Sequence, residues 1–455
     1  MGEYAVSVKG KKPKHVSKIQ TSEFSIPYVN IKAFEQGEID EYTDGAGCVI
    51  CEDGDFLMVW DGSRSGYVGK AIKGALGSTL VKLTFPGIEN NYAYYFLQSK
   101  YLEINTRAKG VGIPHVDPNL VWNYEFRIPP LPEQQRIVAR IEELFSELDK
   151  GVESLKTAQQ QLKVYRQAVL KYAFEGNFTE EWRRQQAATK QPKMAMAAEP
   201  VVEYKTTQQN DDQLGVLPEG WKWCRSGELF TFVTSGSRGW AKYYSNQGSI
   251  FIRITNLNFD TLNLDLSPES IQHVCPPNNA EGLRTKVLEG DFLFSITGYL
   301  GMFAIAPKME SAFVNQHVCL CRPKNNFNKE YVGYWIISKS GGYYFLNKNQ
   351  KGAVKAGLSL EDVKSFPIPI TSIDEQQQIV YEIERRLSVC DKIEESIVQG
   401  LKQTEALRQS ILKRAFEGKL VPQDPNEKLL ERIKAAKENG KPENKEKVKA
   451  SKRKR

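Results

Sequence analysis

The chain has 455 residues, with 62 Lys and Arg against 55 Asp and Glu, a net charge of +7, and its length suits roughly two to four domains. Hydrophobic content of 40% with 11% aromatics excludes wholesale disorder, and no apolar run approaches the roughly 18 residues of a membrane span, so no membrane partner is expected. The charge is concentrated: nine cations and three acids between Lys437 and Arg455 hold +6, leaving a nearly neutral body. Residues 1–127 are rich in short β-type runs such as Phe56-Leu57-Met58-Val59-Trp60, with a helical stretch near Tyr92–Tyr101. Next, Ile137, Ile141, Leu144, Leu148, Val152, Leu155, Leu162, Tyr165 and Val169 keep the three-and-four spacing of a heptad seam. That spacing predicts a long helix starting at Pro132-Glu133 and stopped by Gly176. Residues 182–212, rich in Gln, Ala and Thr around Met194-Ala195-Met196, read as a linker. Residues 213–366 return to β-type runs, Ile250-Phe251-Ile252-Arg253-Ile254 among them, with a helical stretch near Tyr331–Ser338. A second seam, Ile379, Ile383, Leu387, Cys390, Ile397, Leu401, Leu407 and Ile411, runs from Asp374-Glu375 to Gly418. Residues 437–455 read as a disordered basic tail.

The two halves repeat one another. Glu133-Gln134-Gln135-Arg136-Ile137-Val138 recurs 242 residues later as Glu375-Gln376-Gln377-Gln378-Ile379-Val380. The register holds without a gap to Ala173-Phe174-Glu175-Gly176 and Ala415-Phe416-Glu417-Gly418, with 21 identities over 44 positions. Upstream the likeness is looser: Lys109-Gly110 pairs with Lys351-Gly352, and Gly54-Asp55-Phe56-Leu57 echoes Gly290-Asp291-Phe292-Leu293. The expected unit is thus a mixed α+β domain followed by a long helix, present twice. Near-zero charge on the first helix, seven residues of each sign, favours two seams packed on each other. A rod of roughly 40 residues at ~1.5 Å rise is about 60 Å long and spaces whatever sits at its ends.

Catalytic motifs are not evident. Cys48-Val49-Ile50-Cys51 and Cys319-Leu320-Cys321 lack the four-ligand spacing of structural zinc, so they read as core cysteines and no metal is expected. His15, His115, His273 and His317 stand apart from Cys or carboxylate clusters. No Gly-x-x-x-x-Gly-Lys-Ser/Thr loop is present, nor the Asn/Asp-Pro-Pro-Tyr/Phe that holds a target amino group for methyl transfer. Seven cysteines without an evident secretory leader point to a reducing, cytoplasmic setting. What remains suits recognition. Ser235, Ser237, Arg238, Trp240, Lys242 and Tyr243 sit in a Gly-rich run, followed by Arg253, Asn256, Asn258, Tyr299, Asn315, Gln316 and Lys351. In the first half Lys9, Lys12, Lys14, Asn30, Lys32, Arg64, Lys70, Lys73 and Lys109 are the counterparts. Arg reads guanine, Asn and Gln read adenine, and Lys and hydroxyls hold phosphates. Residues 1–132 carry −1 and 213–374 carry +3, so any DNA surface depends on local segregation of charge.

Pro129-Pro130-Leu131-Pro132-Glu133-Gln134-Gln135, the duplicated helices and the exits at Gly176 and Gly418 together resemble specificity subunits of type I restriction-modification systems. So do Leu217-Pro218-Glu219-Gly220-Trp221, Gly290-Asp291-Phe292-Leu293 and the ending Leu429-Leu430-Glu431-Arg432-Ile433-Lys434 with its basic tail. The resemblance covers nearly the whole chain and implies an α+β fold with a pseudo-twofold internal repeat. Two target-recognition domains, 1–128 and 213–368, would be joined by two long antiparallel helices forming a coiled coil. These would be the central helix of 129–181, leading into the linker, and the helical region of 369–436 ahead of the tail. It also implies a non-catalytic chain that reads split double-stranded DNA and binds two methyltransferase subunits and restriction subunits. S-adenosylmethionine, ATP and Mg would belong to those partners. Glu133, Gln134, Gln135, Phe174, Glu175, Glu375, Gln376, Gln377, Phe416 and Glu417 are the expected partner-binding positions. A coiled-coil adaptor without DNA readout is the alternative. One departure stands out: the first copy lacks the Leu-Pro-x-Gly-Trp lead-in, so either the sequence starts late or this branch of the family is short there.

Overall fold

The computed structural model describes residues 1–110, 112–189, 214–277, 280–348 and 357–422. In chain order the first part holds β1 (Val6–Lys9), β2 (Ile26–Val29), α1 (Ile31–Gln36), β3 (Tyr42–Thr43), β4 (Ile50–Cys51), β5 (Phe56–Val59), β6 (Val68–Lys70), β7 (Gly74–Leu76) and β8 (Leu80–Thr84). Then come α2 (Asn90–Thr106), α3 (Pro118–Trp122), α4 (Leu131–Phe174) and α5 (Glu180–Thr189). The second part opens with β9 (Lys222–Arg225), β10 (Phe230–Ser235), β11 (Tyr244–Ser245), β12 (Ser249–Ile252), β13 (His273–Val274), α6 (Ala280–Arg284), β14 (Phe292–Ser295), β15 (Phe303–Ile305), β16 (Ala312–Val314) and β17 (Val318–Pro323). It closes with α7 (Lys329–Ile337), α8 (Gly342–Lys348), α9 (Leu360–Ser365), β18 (Pro367–Ile370) and α10 (Ile373–Phe416).

The chain divides into two compact units, one of residues 1–155 with 399–455 and one of residues 156–398, so each unit takes part of both long helices. In the first unit, the sheet β1-β8-β5-β6 is antiparallel throughout. Side chains of a strand alternate between faces, and β5 uses both. Phe56 and Met58 pack with α2 and the helix residues Ile137, Ile141, Phe145, Leu412 and Ala415. Leu57 and Val59 face the other way, toward Val29, Cys51 and Leu76 of the second sheet, β3-β2-β7-β4. That is why all four residues of β5 are buried.

The second unit is built by the same rules. Its sheet β10-β17-β14-β15 has the same order of equivalent strands. Phe292 and Phe294 pack on α7 and on Val169, Phe174, Ile379 and Ile383. Leu293 turns toward Ile252, Val314 and Leu320. Both second sheets contain one parallel pair, β2 with β7 and β12 with β16. The first unit differs at its entrance. Trp221 leads into β9, which pairs with β18, whereas residues 125–128, at the position of β18, form no strand. There the Met1 ammonium donates to the Tyr124 carbonyl at 2.9 Å, and the Gly2 amide to that of Trp122.

Within each unit the helix segments run antiparallel. In the first, Arg408 pairs with Asp149, and the side chain of Leu155 lies against Gly400. In the second, Arg166 reaches Asp391 at 2.7 Å and Glu394 at 3.0 Å. Arg166 and Arg408 are equivalent positions of the repeat, as are Asp149 and Asp391. The helix ends match the sequence reading: Gly176 and Gly418 adopt φ of 76° and 72°, the left-handed region that glycine tolerates. Two seam assignments need correction. Tyr165 and Leu407 are exposed, because the buried stripe turns onto Arg166, Val169, Leu170 and Leu412. The linker also starts later than expected, since 182–189 lie in α5. Arg183 of α5 donates to Glu375 at 2.6 Å and to the Gly176 carbonyl at 2.8 Å, which ties the helix down.

Candidate nucleic-acid interface

At one end of each four-stranded antiparallel sheet, three loops meet. In the second unit β10 ends at Ser235 opposite Cys319, and β14 ends at Ser295 opposite Val318. The loops 236–239, 296–302 and 315–317 therefore share one end of the sheet. Gly236 has no room for a side chain: a Cβ there would stand 2.3 Å from the Val314 carbonyl oxygen. Gly10 is equally confined in the first unit, 2.2 Å from the Gly77 oxygen. There the corresponding loops are 10–14, 60–67 and 77–79. The same backbone bond closes each end, Ile296 N–H to the His317 carbonyl at 3.0 Å and Trp60 N–H to the Thr79 carbonyl at 2.8 Å.

The candidate side chains fall into two groups. Many are engaged inside the protein. Trp240 is buried, stacked on Phe251 at 5.0 Å, and its indole donates to Glu281 at 2.6 Å. Asn256 is fully buried and spans the carbonyls of Asp265 and Ser270. Asn258 organises a turn by accepting from the amides of Asp260 and Thr261. The Arg253 guanidinium donates to the Ser270 carbonyl at 3.1 Å, and Asn30 caps α1 through the Ala33 amide. Cations of the first unit are largely neutralised: Lys9 by Asp61, Lys32 by Glu38 and Asp40, Arg64 by Glu35, Lys73 by Glu52 and Lys109 by Asp117. Lys70 donates to Asn91 at 2.6 Å, and Arg64 also lies 4.0 Å over Tyr67.

The second group faces outward. Lys12, Lys14, Arg238 and Lys242 are exposed, with Lys242 4.9 Å over the partly exposed Tyr243 ring. Tyr299 is 72% exposed on a turn between Gly298 and Gly301, both with positive φ. Ser235 and Ser237 are half-buried, as are Asn315 and Gln316. Lys351 lies outside the described residues. Sequence reasoning missed Arg284 of α6, which donates to Thr234 Oγ1, to the Ser235 carbonyl and to Ser237 Oγ at 3.0 Å. It holds the 236–239 loop in place. Its only sequence signal is the i, i+3 spacing from Glu281, which grips Trp240 on the same loop.

The expected partner-binding positions divide similarly. Gln134 and Gln376 are buried and make matching bonds. Gln134 accepts from the Glu89 amide and donates to the Pro129 carbonyl, while Gln376 accepts from the Asn328 amide and donates to the Thr371 carbonyl. Gln134 thus fastens the start of α4 to the N-terminus of α2, and Gln376 the start of α10 to that of α7. Glu133 is also buried, and Glu375 is held by Thr371, Thr179 and Arg183. Phe174 packs on Tyr331 and Trp335, and Phe416 on Tyr92 and Phe96, so both phenylalanines serve the interior. Gln135, Gln377, Glu175 and Glu417 face outward.

Among the described residues no group of three or more His, Cys, Asp or Glu is arranged to hold a metal ion. Cys51, Cys319 and Cys321 are buried and Cys48 is half-buried. Burial beside Cys319 pushes the Cys321 thiol up, away from reactivity. No described helix is long and apolar enough to cross a membrane.

An α+β module is thus present twice, each copy with its own loop cluster at one sheet end and a long helix after it. The family of type I restriction modification DNA specificity domains matches residues 2–161 and 218–403, and the chain belongs to it. It is 23% identical over 416 residues to the type I restriction enzyme EcoBI specificity subunit of Escherichia coli, covering 89% of this chain and 83% of that one. It is 23% identical over 438 residues to the MjaVIII specificity subunit of Methanocaldococcus jannaschii, covering 92% of each. A solved chain from work on complex assembly and conformational transition of the type I R-M system shares the fold. Its TM-score is 0.61 at 18% identity, over 92% of this chain and 96% of that one.

Proposed function

We infer that this chain is the DNA sequence-recognition subunit of a type I restriction-modification complex. The observation that carries the reading is that two copies of one framework present different side chains at the same sheet end. Each unit reads one half of a bipartite, asymmetric site in double-stranded DNA, with cations on phosphates and polar side chains on base edges. The paired helices keep a fixed length of unread spacer between the half-sites, which a flexible loop would not do. Two methyltransferase (modification) subunits and the restriction subunits dock on the chain in the cytoplasm, with outward residues such as Gln135, Gln377, Glu175 and Glu417 available to them. The chain itself is non-catalytic; adenine methylation with S-adenosylmethionine and ATP- and Mg-dependent cleavage belong to those partners. Methylome sequencing of a host carrying the complete system is expected to show one split adenine-methylated sequence. An active, complete system with no split sequence would overturn the reading.

A further inference from the structure

The sheet end of the second unit contains an ordered relay with no counterpart in the first. His317 Nδ1 lies 2.6 Å from Thr297 Oγ1, and its Nε2 lies 3.0 Å from Nε2 of Gln316. With the Gln316 amide nitrogen donating to His317 Nε2, the tautomer that satisfies both contacts carries its proton on Nδ1 and donates it to the threonine hydroxyl. The loop carrying this relay is fixed on both sides. The His317 amide is tied to Asn315 Oδ1 at 2.9 Å, and the His317 carbonyl accepts from Ile296. The turn carrying Thr297 is pinned by buried Ser295, whose hydroxyl donates to the Tyr299 carbonyl and accepts from the Met302 amide. The equivalent positions of the first unit are Asp61, Ser78 and Thr79. There Asp61 is instead committed to Lys9 at 2.8 Å.

The geometry points to Gln316 as a reader of an A·T pair in the second half-site, with His317 and Thr297 as its positioning residues. This rests on the sequence-recognition reading above. In that arrangement one N–H of the Gln316 amide is spent on His317, and the bond favours one orientation of the amide. The second N–H and the Oε1 are left for a ligand, one donor and one acceptor on the same amide. Adenine presents the complement in the major groove, N7 as acceptor and N6–H₂ as donor, and a bidentate match of this kind separates bases by about 5- to 150-fold. Without the relay, the amide turns freely and presents either order.

The test is methylome sequencing of the complete system carrying Gln316→Ala, Thr297→Val or Thr297→Ser, with thermal melting of each purified complex. Gln316→Ala is expected to relax one A·T position in one half-site by about 5- to 150-fold, leaving the other half-site and the spacer intact. Thr297→Val is expected to relax the same position by a few-fold without a change in melting temperature, and Thr297→Ser to restore it. An unchanged sequence with Gln316→Ala overturns the proposal, as does relaxation by Thr297→Val at a different position, or equal behaviour of the Val and Ser variants. If the unsubstituted system shows no split sequence, the recognition reading itself fails, and this proposal fails with it.

Discussion

The two units share a scaffold and differ at one end of it. Strand order, the parallel pair in the second sheet and the tight glycine are common to both. So is the tyrosine that anchors α2 or α7: Tyr92 donates to the Arg127 carbonyl and Tyr331 to that of Pro369, each at 3.0 Å. At the sheet end the likeness stops. The first unit carries cations paired with acids, such as Lys9 with Asp61 and Arg64 with Glu35. The second carries exposed Arg238 and Tyr299 beside the Thr297–His317–Gln316 relay. Burial and backbone bonding constrain the shared part, whereas the loops answer only to what they touch. Two halves of an asymmetric site require that separation of scaffold from reading edge.

The comparison breaks most visibly if the shared anchors are removed. Tyr331→Ala opens a cavity in the second unit and is expected to destabilise it by about 3–5 kcal/mol, with Tyr92→Ala acting on the first. Calorimetry of the two variants should lower different transitions, and a single common shift would show the units to be one folding block. At the sheet ends, Arg238→Ala is expected to weaken discrimination in one half-site only, by about 1–3 kcal/mol if it reads a base. Arg64→Ala should affect the other. Methylome sequencing that finds both changes in the same half-site would refute the assignment of one half-site to each unit.

The two equivalent arginines give a finer contrast. Arg166 has a 9% exposed side chain and two carboxylate partners, whereas Arg408 is 22% exposed with one, above the Phe145 ring. Because Asp391 and Glu394 are themselves well exposed, solvent screens the pairs. Arg166→Ala is expected to cost about 1–2 kcal/mol and Arg408→Ala about half of that, read from denaturant midpoints at two salt concentrations. The smallest effect concerns pH. The Trp240 indole bond holds the Glu281 carboxyl below its usual range, helped by Ser237 and Arg284. A depressed folded value stabilises above the ordinary carboxylate range, and the contribution is lost as pH falls through the lowered one. Trp240 fluorescence should therefore change on acidification, and Glu281→Gln should abolish that change.

The repeat and the long helices were legible because identity at a constant offset and heptad spacing are properties of the chain alone. The seam failed at Tyr165 and Leu407, where the stripe drifts and the exposed middle of each helix buries little. Site residues were harder to read. Asn, Arg and Trp contact bases, but the same groups cap helices, close turns and fill cores, as Asn30, Asn256, Asn258 and Trp240 do. Composition does not distinguish the two uses. Thr297 and Arg284 were missed because their partners lie 20 and about 50 residues away, brought together only by the sheet.

The first unit is discontinuous, and this has a consequence for synthesis. Its core includes Leu412 and Ala415, and Phe416 covers Tyr92 and Phe96. The second unit is one unbroken stretch, residues 156–398. A ribosome finishes every residue of the second unit before it reaches those the first still awaits. Domains tend to fold in order of emergence; here the N-terminal one keeps its aromatic face bare longest. Release of the last helix is therefore the step at which that face is covered, and the interval before it is when a chaperone matters most to this chain.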